Sequence, residues 1–252
     1  MTYEAVHARP DGDSTVARMA LTASEYGYDG IVVRNHGDDP ASYDPAAIAE
    51  TYGVDVATGV DVRSEDPSRA SGFVGNHRTR TEVVVVHGGT PSINRFAVEQ
   101  PAVDVLAHPM RGDGDVNHVL AKEAAANGVR LELSLREVLR TTGGRRVEAI
   151  RHCQKLAELI ETYDVPFVVS ADPRSHLDLR APRELAALGE EVGLGADAVD
   201  DGLAEWGRLA VRNRERLSDD FVAPGVRRES DTDDGGNGAD ESGGGAGGDP
   251  SE

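Results

Sequence analysis

The sequence predicts an α/β protein built as a (β/α) barrel, and three observations carry that reading. Short β-branched runs alternate with helix-period stretches about seven times along the 252 residues. The runs, such as "TEVVVVHG" at 81–88, are mostly apolar rather than alternating in and out, as in parallel strands covered on both faces. The first run is followed by "HARPDGD" rather than a G-x-G-x-x-G phosphate fingerprint, which favours a barrel over a doubly wound sheet.

The elements follow in order. Strands are expected at 3–7, 31–34, 54–62, 82–87, 103–107, 129–133 and 167–170, where Val and Ile concentrate. Helices are expected at 14–26, 44–52, 92–99, 115–126, 145–163, 183–191 and 197–216. Asp115 reads as an N-cap, Asn127-Gly128 as a C-terminal stop, and Pro182 as a first-turn proline. From Val226 the chain reads "VRRESDTDDGGNGADESGGGAGGDPSE", with no apolar period and eight acids against two arginines. Such a segment cannot bury enough surface to fold, so residues 224–252 are expected to be a disordered acidic tail behind a single barrel domain of residues 1–223.

The composition narrows the function. No apolar run approaches the roughly 20 residues needed to span a bilayer, and the N-terminus lacks a signal-peptide layout, so a soluble cytoplasmic protein is expected. The single Cys153 excludes a disulfide framework and a cysteine-based zinc site within the chain, and its helical spacing reads as a small buried hydrophobe. Acidic residues number 45 against 26 basic, a formal net of −19, and only Lys122 and Lys155 are lysines. That balance reads as adaptation to molar salt, where a Debye length of about 3 Å hides most of the net charge. Nucleic acid could then be bound only through locally clustered arginines.

Parallel barrels carry chemistry at the C-terminal ends of their strands. His7, His36, His87 and His108 fall at such ends, Asp172 follows strand seven, and Glu132 lies inside strand six. The arrangement resembles the PHP superfamily of metal-dependent phosphoesterases. The superfamily's opening His-x-His is absent, since the stretch is Ala5-Val6-His7 and no two histidines are two apart; its closing Asp-x-His is absent too, because Asp172 and His176 are four apart. No metal is therefore expected on this chain. The alternative is a phosphoesterase with degenerate ligands His7, His108, Glu132 and Asp172.

The cations cluster. His118 and Lys122 share a helix face, with Arg111 in the preceding Gly-Asp-Gly loop near a helix N-terminus favourable to anions. Arg180 and Arg183 flank Pro182, and Arg145, Arg146 and Arg151 crowd the helix after "TTGG". Arg208, Arg212 and Arg216 form an i, i+4, i+8 stripe that either faces a ligand or pairs with Glu205 and Glu215.

The stretches "VDVLAHP", "NHVLAKEAAANGVRLELSLREVL", "VVSADPRSHLDLRAPRELAALGEEVGL" and "LAVRNRERL", in that order and spacing, resemble the thirty-kilodalton protein subunit family of ribonuclease P. The resemblance covers roughly residues 1–220. It implies a TIM-like barrel related to PHP barrels but without their hydrolase chemistry. It also implies a subunit that binds the ribonuclease P RNA beside a small ferredoxin-like protein and the other ribonuclease P proteins, in a particle that removes 5′ leaders from precursor tRNA. The chain itself would be non-catalytic and hold no cofactor, with Mg²⁺ at the RNA component. By motif match the RNA contacts would be Arg95, Arg111, His118, Lys122, Arg180 and Arg183. Arginine suits the work because its planar fork meets phosphate bidentately.

Overall fold

The computed structural model describes residues 1–218 together with 221–223 and 226–227. Seven strands, β1 (Tyr3–Val6), β2 (Gly30–Val33), β3 (Asp55–Val62), β4 (Val83–His87), β5 (Val105–Ala107), β6 (Arg130–Ser134) and β7 (Phe167–Ser170), form one parallel sheet in sequence order. The expected barrel is present. The order ends at β1 and β7, and that seam is joined by other means: the His7 N–H donates to Pro173 O at 3.0 Å, while Ser170 Oγ and the Ala171 N–H donate to the Glu4 carboxylate at 2.6 and 3.1 Å.

Helices α1 (Val16–Tyr26), α2 (Pro45–Tyr52), α3 (Pro67–Arg78), α4 (Pro91–Val98) and α5 (His118–Asn127) follow the first five strands. The short α6 (Arg136–Arg140) and long α7 (Gly143–Tyr163) follow β6, and α8 (Pro182–Val192) and α9 (Ala196–Leu217) follow β7. Pro182 opens α8 and Gly128 closes α5 with φ of 66°, as the punctuation predicts. Two helices were not legible. The segment of α3 buries only Ala70 and Val74, and α6 is a five-residue turn burying only Val138, so neither shows an apolar stripe. The cap of α5 is also corrected. Asn117, not Asp115, accepts from the Val119 and Leu120 N–H groups, and Asp115 instead pairs with Lys155 at 2.5 Å.

The core has two layers. Helices pack on the outer face of the sheet through residues such as Ile31, Val33, Leu131 and Leu133, with Cys153 buried among them. The barrel interior holds Tyr3, Ala5, Val32, Ala57, Val83, Val85, Val105, Ala107 and Val168 around Trp206, Leu209 and Ala210 of α9. The alanines leave room for the indole, whose Nε1–H donates to Val169 O at 2.9 Å. The last helix thus plugs the end of the barrel where strands begin. Arg212 and Asn213 meet Asp104 at 3.0 and 2.9 Å, Arg214 meets Glu82 and Asp55 at 2.5 and 3.1 Å, and Glu205 meets Arg130 at 2.7 Å.

The barrel forms one unit, Met1–Leu217, and a second unit spans Ser218–Glu252. Within the second, Phe221–Ala223 pairs antiparallel with Val226–Arg227. The tail expected at 224–252 otherwise lies outside the described residues. No helix among the described residues is long and apolar enough to cross a membrane.

Candidate functional site: the polar mouth of the barrel

Side chains two apart on a strand share a face. The parity that sends Tyr3 and Ala5, Val32, Val83 and Val85, and Val168 into the barrel therefore continues, toward the strands' C-terminal ends, to His7, Arg34, His87 and Asp172. Asp61 and Glu132 join them, so a polar layer caps the apolar plug. His108 and Asp172, just beyond β5 and β7, have φ of 48° and 46°. Non-glycine residues in the left-handed region cost energy and concentrate at functional sites, and these two turn their side chains back over the mouth.

Arg34 sits at the centre. Its side chain has no solvent exposure, and Nη2 donates to Glu132 Oε1 at 2.6 Å and Asp172 Oδ1 at 3.0 Å. Its guanidinium lies 5.5 Å from the Trp206 ring centroid, a cation–π contact between the apolar plug and the polar cap. Burial works against its charge, but Glu132, Asp172 and Asp61 outweigh burial and hold it firmly protonated.

Four histidine rings step around the rim at centroid separations of 5.1, 5.7 and 4.8 Å, in the order His7, His36, His87, His108. Asp11, on the loop after β1, accepts from His7 Nδ1 at 2.6 Å and His36 Nδ1 at 2.7 Å. Asp61 accepts from His87 Nδ1 at 3.1 Å. Burial opposes ionisation of Asp11, Asp61 and Asp172, yet their histidine partners hold all three carboxyls well below the usual range. Burial likewise opposes a charged His7, but Asp11 and Asp172 raise its pKa; at His108 burial prevails and lowers it.

Two groups, His7–Asp11–His36 and His36–Asp61–His87, have ligand atoms within 4.8 Å of one another and so have the spacing for a cation. Asp61 Oδ1 and His7 Nε2 are buried without a hydrogen-bond partner among the described residues, but the other ring nitrogens of these groups are engaged. His36 Nε2 accepts from Arg63 Nη2 at 2.5 Å, His87 Nε2 accepts from Arg111 Nη1 at 2.9 Å, and the central carboxylates face the Arg34 guanidinium.

The sequence-predicted rim residues His7, His36, His87, His108, Glu132 and Asp172 do come together. The predicted RNA-contact residues do not converge on one point. Arg111 lies at the mouth. Arg95 is on α4, paired with Glu99 at 2.7 Å, while His118 opens the neighbouring α5 and Lys122 on the same helix sits 5.4 Å from the Tyr163 ring. Arg180 donates to the Leu177 and Leu179 carbonyls near the start of α8, and Arg183 is exposed on its first turn. In the stripe on α9, Arg208 pairs with Glu205 at 2.5 Å, whereas Arg212 is drawn to Asp104 under the barrel. Arg34, Asp11, Asp61, Arg63, Arg136 and Arg174 were missed. Strand parity, which sets Arg34 in line with Val32, is the signal that could have found the first.

The RNase P subunit p30 family model matches residues 1–218. The chain belongs to that family. Among curated relatives, a Ribonuclease P protein component 3 from Haloarcula marismortui is 64% identical over 92% of this chain and 99% of its own length. One from Methanosarcina mazei is 36% identical over 88% and 92%. Among solved structures, a chain of an archaeal Ribonuclease P with mature tRNA, seen by cryo-EM, superposes with a TM-score of 0.77 at 23% identity, covering 89% of this chain and 96% of that one. A histidinol phosphate phosphatase from Lactococcus lactis, complexed with zinc, L-histidinol and phosphate, gives 0.51 at 10% identity over 84% and 93%. At those identities the two structures speak to the fold alone, and this chain shares it with a phosphatase complexed with zinc.

Proposed function

We propose that this chain, a ribonuclease P subunit by family, binds the ribonuclease P RNA and assists cleavage of precursor tRNA without cutting it. The observation that carries the reading is the place of Arg34. A guanidinium stands among Glu132, Asp172 and Asp61, supplying the positive charge that a metal would supply in a phosphoesterase barrel. Arg63 and Arg111 donate onto the histidine nitrogens that a metal would need. On this reading the chain holds no metal, and the Mg²⁺ used in cleavage resides at the RNA.

RNA is met by arginines at the barrel mouth and on the flanking helices, including Arg95, Arg111, His118, Lys122, Arg180 and Arg183. Partners in the particle are the small ferredoxin-like subunit, the other ribonuclease P proteins and the precursor tRNA. Phosphate neutralisation weakens with salt by about 0.7–0.9 of a log unit per contact per tenfold salt. An acidic chain adapted to concentrated salt therefore leans on shaped hydrogen bonding and protein contacts. The test is reconstitution. The purified chain alone should leave precursor tRNA intact, and its addition to the RNA and partner proteins should lower the Mg²⁺ or salt required. The alternative, a phosphoesterase using His7, His108, Glu132 and Asp172, requires stoichiometric Mn²⁺ or Zn²⁺ in the purified chain and metal-dependent hydrolysis of small phosphoesters.

A further inference from the structure

We infer that the barrel mouth holds a built phosphate seat, formed by Arg63 and Arg111 and aimed by two buried relays, Asp11–His36–Arg63 and Asp61–His87–Arg111; its occupant is a phosphate of the bound RNA. The inference deepens the RNA-binding reading and rests on it.

The directions of the relays are fixed by chemistry. A guanidinium has donors only, so the 2.5 Å contact of Arg63 Nη2 with His36 Nε2 and the 2.9 Å contact of Arg111 Nη1 with His87 Nε2 make both ring nitrogens acceptors. The ring protons then lie on Nδ1 and are donated to Asp11 Oδ1 at 2.7 Å and Asp61 Oδ2 at 3.1 Å. Both imidazoles and both carboxylates are buried, with side-chain exposures of 2 and 8% for the rings and 6 and 0% for the acids. Each exposed arginine is thus anchored by a rigid base, which lowers the entropy lost when it grips a ligand.

Charge makes the seat unusual. The chain carries 45 acidic residues, yet neither the Arg63 nor the Arg111 side chain forms an ion pair with a carboxylate among the described residues. Their donors beyond those on the rings are available to an anion. The two arginines spring from neighbouring rings whose centroids are 5.7 Å apart, and both line one cavity of about 900 Å³. Arg136 and Arg174 line the same cavity and are partly spent on Asp172 and Asp11. Glu137 and Glu148 line it from α6 and α7, which places the phosphate toward the ends of β3 and β5, where Arg63 and Arg111 stand.

Arginine-directed modification with phenylglyoxal, mapped by peptide mass spectrometry, tests the seat on the full chain free, in inorganic phosphate, and bound to the ribonuclease P RNA. Arg63 and Arg111 should be protected by the RNA, whereas Arg69, exposed on α3 and paired among the described residues only with Asp66, should react as in the free chain. The double variant Arg63→Lys and Arg111→Lys, folded by circular dichroism, should bind RNA about tenfold more weakly because lysine loses the fork. Equal reactivity of Arg63 and Arg111 in a demonstrably RNA-bound chain would overturn the seat while leaving RNA binding intact. Protection by inorganic phosphate but not by RNA would overturn RNA as the source. Absence of RNA binding would overturn both the seat and the reading beneath it.

Discussion

Arg34 and Glu132, 98 residues apart, meet at 2.6 Å in the middle of the barrel, and neither side chain has any solvent exposure. Taking one partner from a buried ion pair leaves an uncompensated charge in a low-dielectric interior, which costs more than the pair itself contributes. Arg34→Met should therefore destabilise the barrel by about 3–5 kcal/mol. Urea unfolding of the variant against wild type measures it. A loss under about 1 kcal/mol would show that water or a neighbouring group compensates the carboxylates.

Metal addition gives a second expectation. With Arg34 in place, Zn²⁺ or Mn²⁺ should leave the melting temperature of the wild-type chain unchanged, and EDTA should not lower it. A ligand that binds only the native state raises apparent stability with its concentration. A metal-dependent upward shift in wild type would mean that the His–Asp groups hold an ion in spite of the guanidiniums.

Glu4 supplies a pH dependence. Burial pushes its carboxyl from 4.5 up to about 7, against the pull of hydrogen bonds from Ser170 and the Ala171 and Ala5 N–H groups. The folded value lies above the unfolded one, so the protonated form stabilises the fold fully below about pH 4.5, and that contribution is lost as pH rises through about 7. The loss amounts to about 3 kcal/mol for a shift of this size. Denaturant unfolding between pH 5 and 8 should show a decline that is flatter in Glu4→Gln; identical slopes in the two proteins would remove Glu4 as its source.

The plug is testable through packing. Trp206 is fully buried, and Trp206→Ala should cost about 3–5 kcal/mol. Gly202 lies against β7 so closely that an added Cβ would stand 2.4 Å from Val169 Cγ2 and 2.8 Å from Val169 N. Gly202→Ala should cost about 1–3 kcal/mol by overpacking. Differential scanning calorimetry of both variants checks that α9 is integral to the barrel. Wild-type melting in either would show it to be a loosely attached cover.

The strands were most legible where β-branched residues run together, as in β2 and β4, and the rim was legible because histidines stand near the strand ends. Arg34 was not. At the end of "IVVR" it resembles an ordinary strand terminus, and only closure of the barrel converts its parity with Val32 into an interior position. Asp115 and Asn117 are both good N-cap residues two apart. Asn117 takes the cap, while the Asp115 carboxylate meets Lys155, 40 residues on. The arginine stripe on α9 divides: Arg208 takes Glu205, one of the partners the pattern offered. Arg212 finds Asp104 across 108 residues, a partner that no local pattern announces.

The central claim is that this chain contributes contacts and leaves chemistry to RNA. Its most direct test is 5′-leader removal from a precursor tRNA, assayed across a Mg²⁺ titration with metal-stripped chain alone, with RNA and partner proteins alone, and with all together. The account predicts no cleavage by the chain at any Mg²⁺ concentration and a lower Mg²⁺ requirement when it joins the RNA and its partners. Cleavage by the chain without RNA, abolished by His108→Ala, would contradict it.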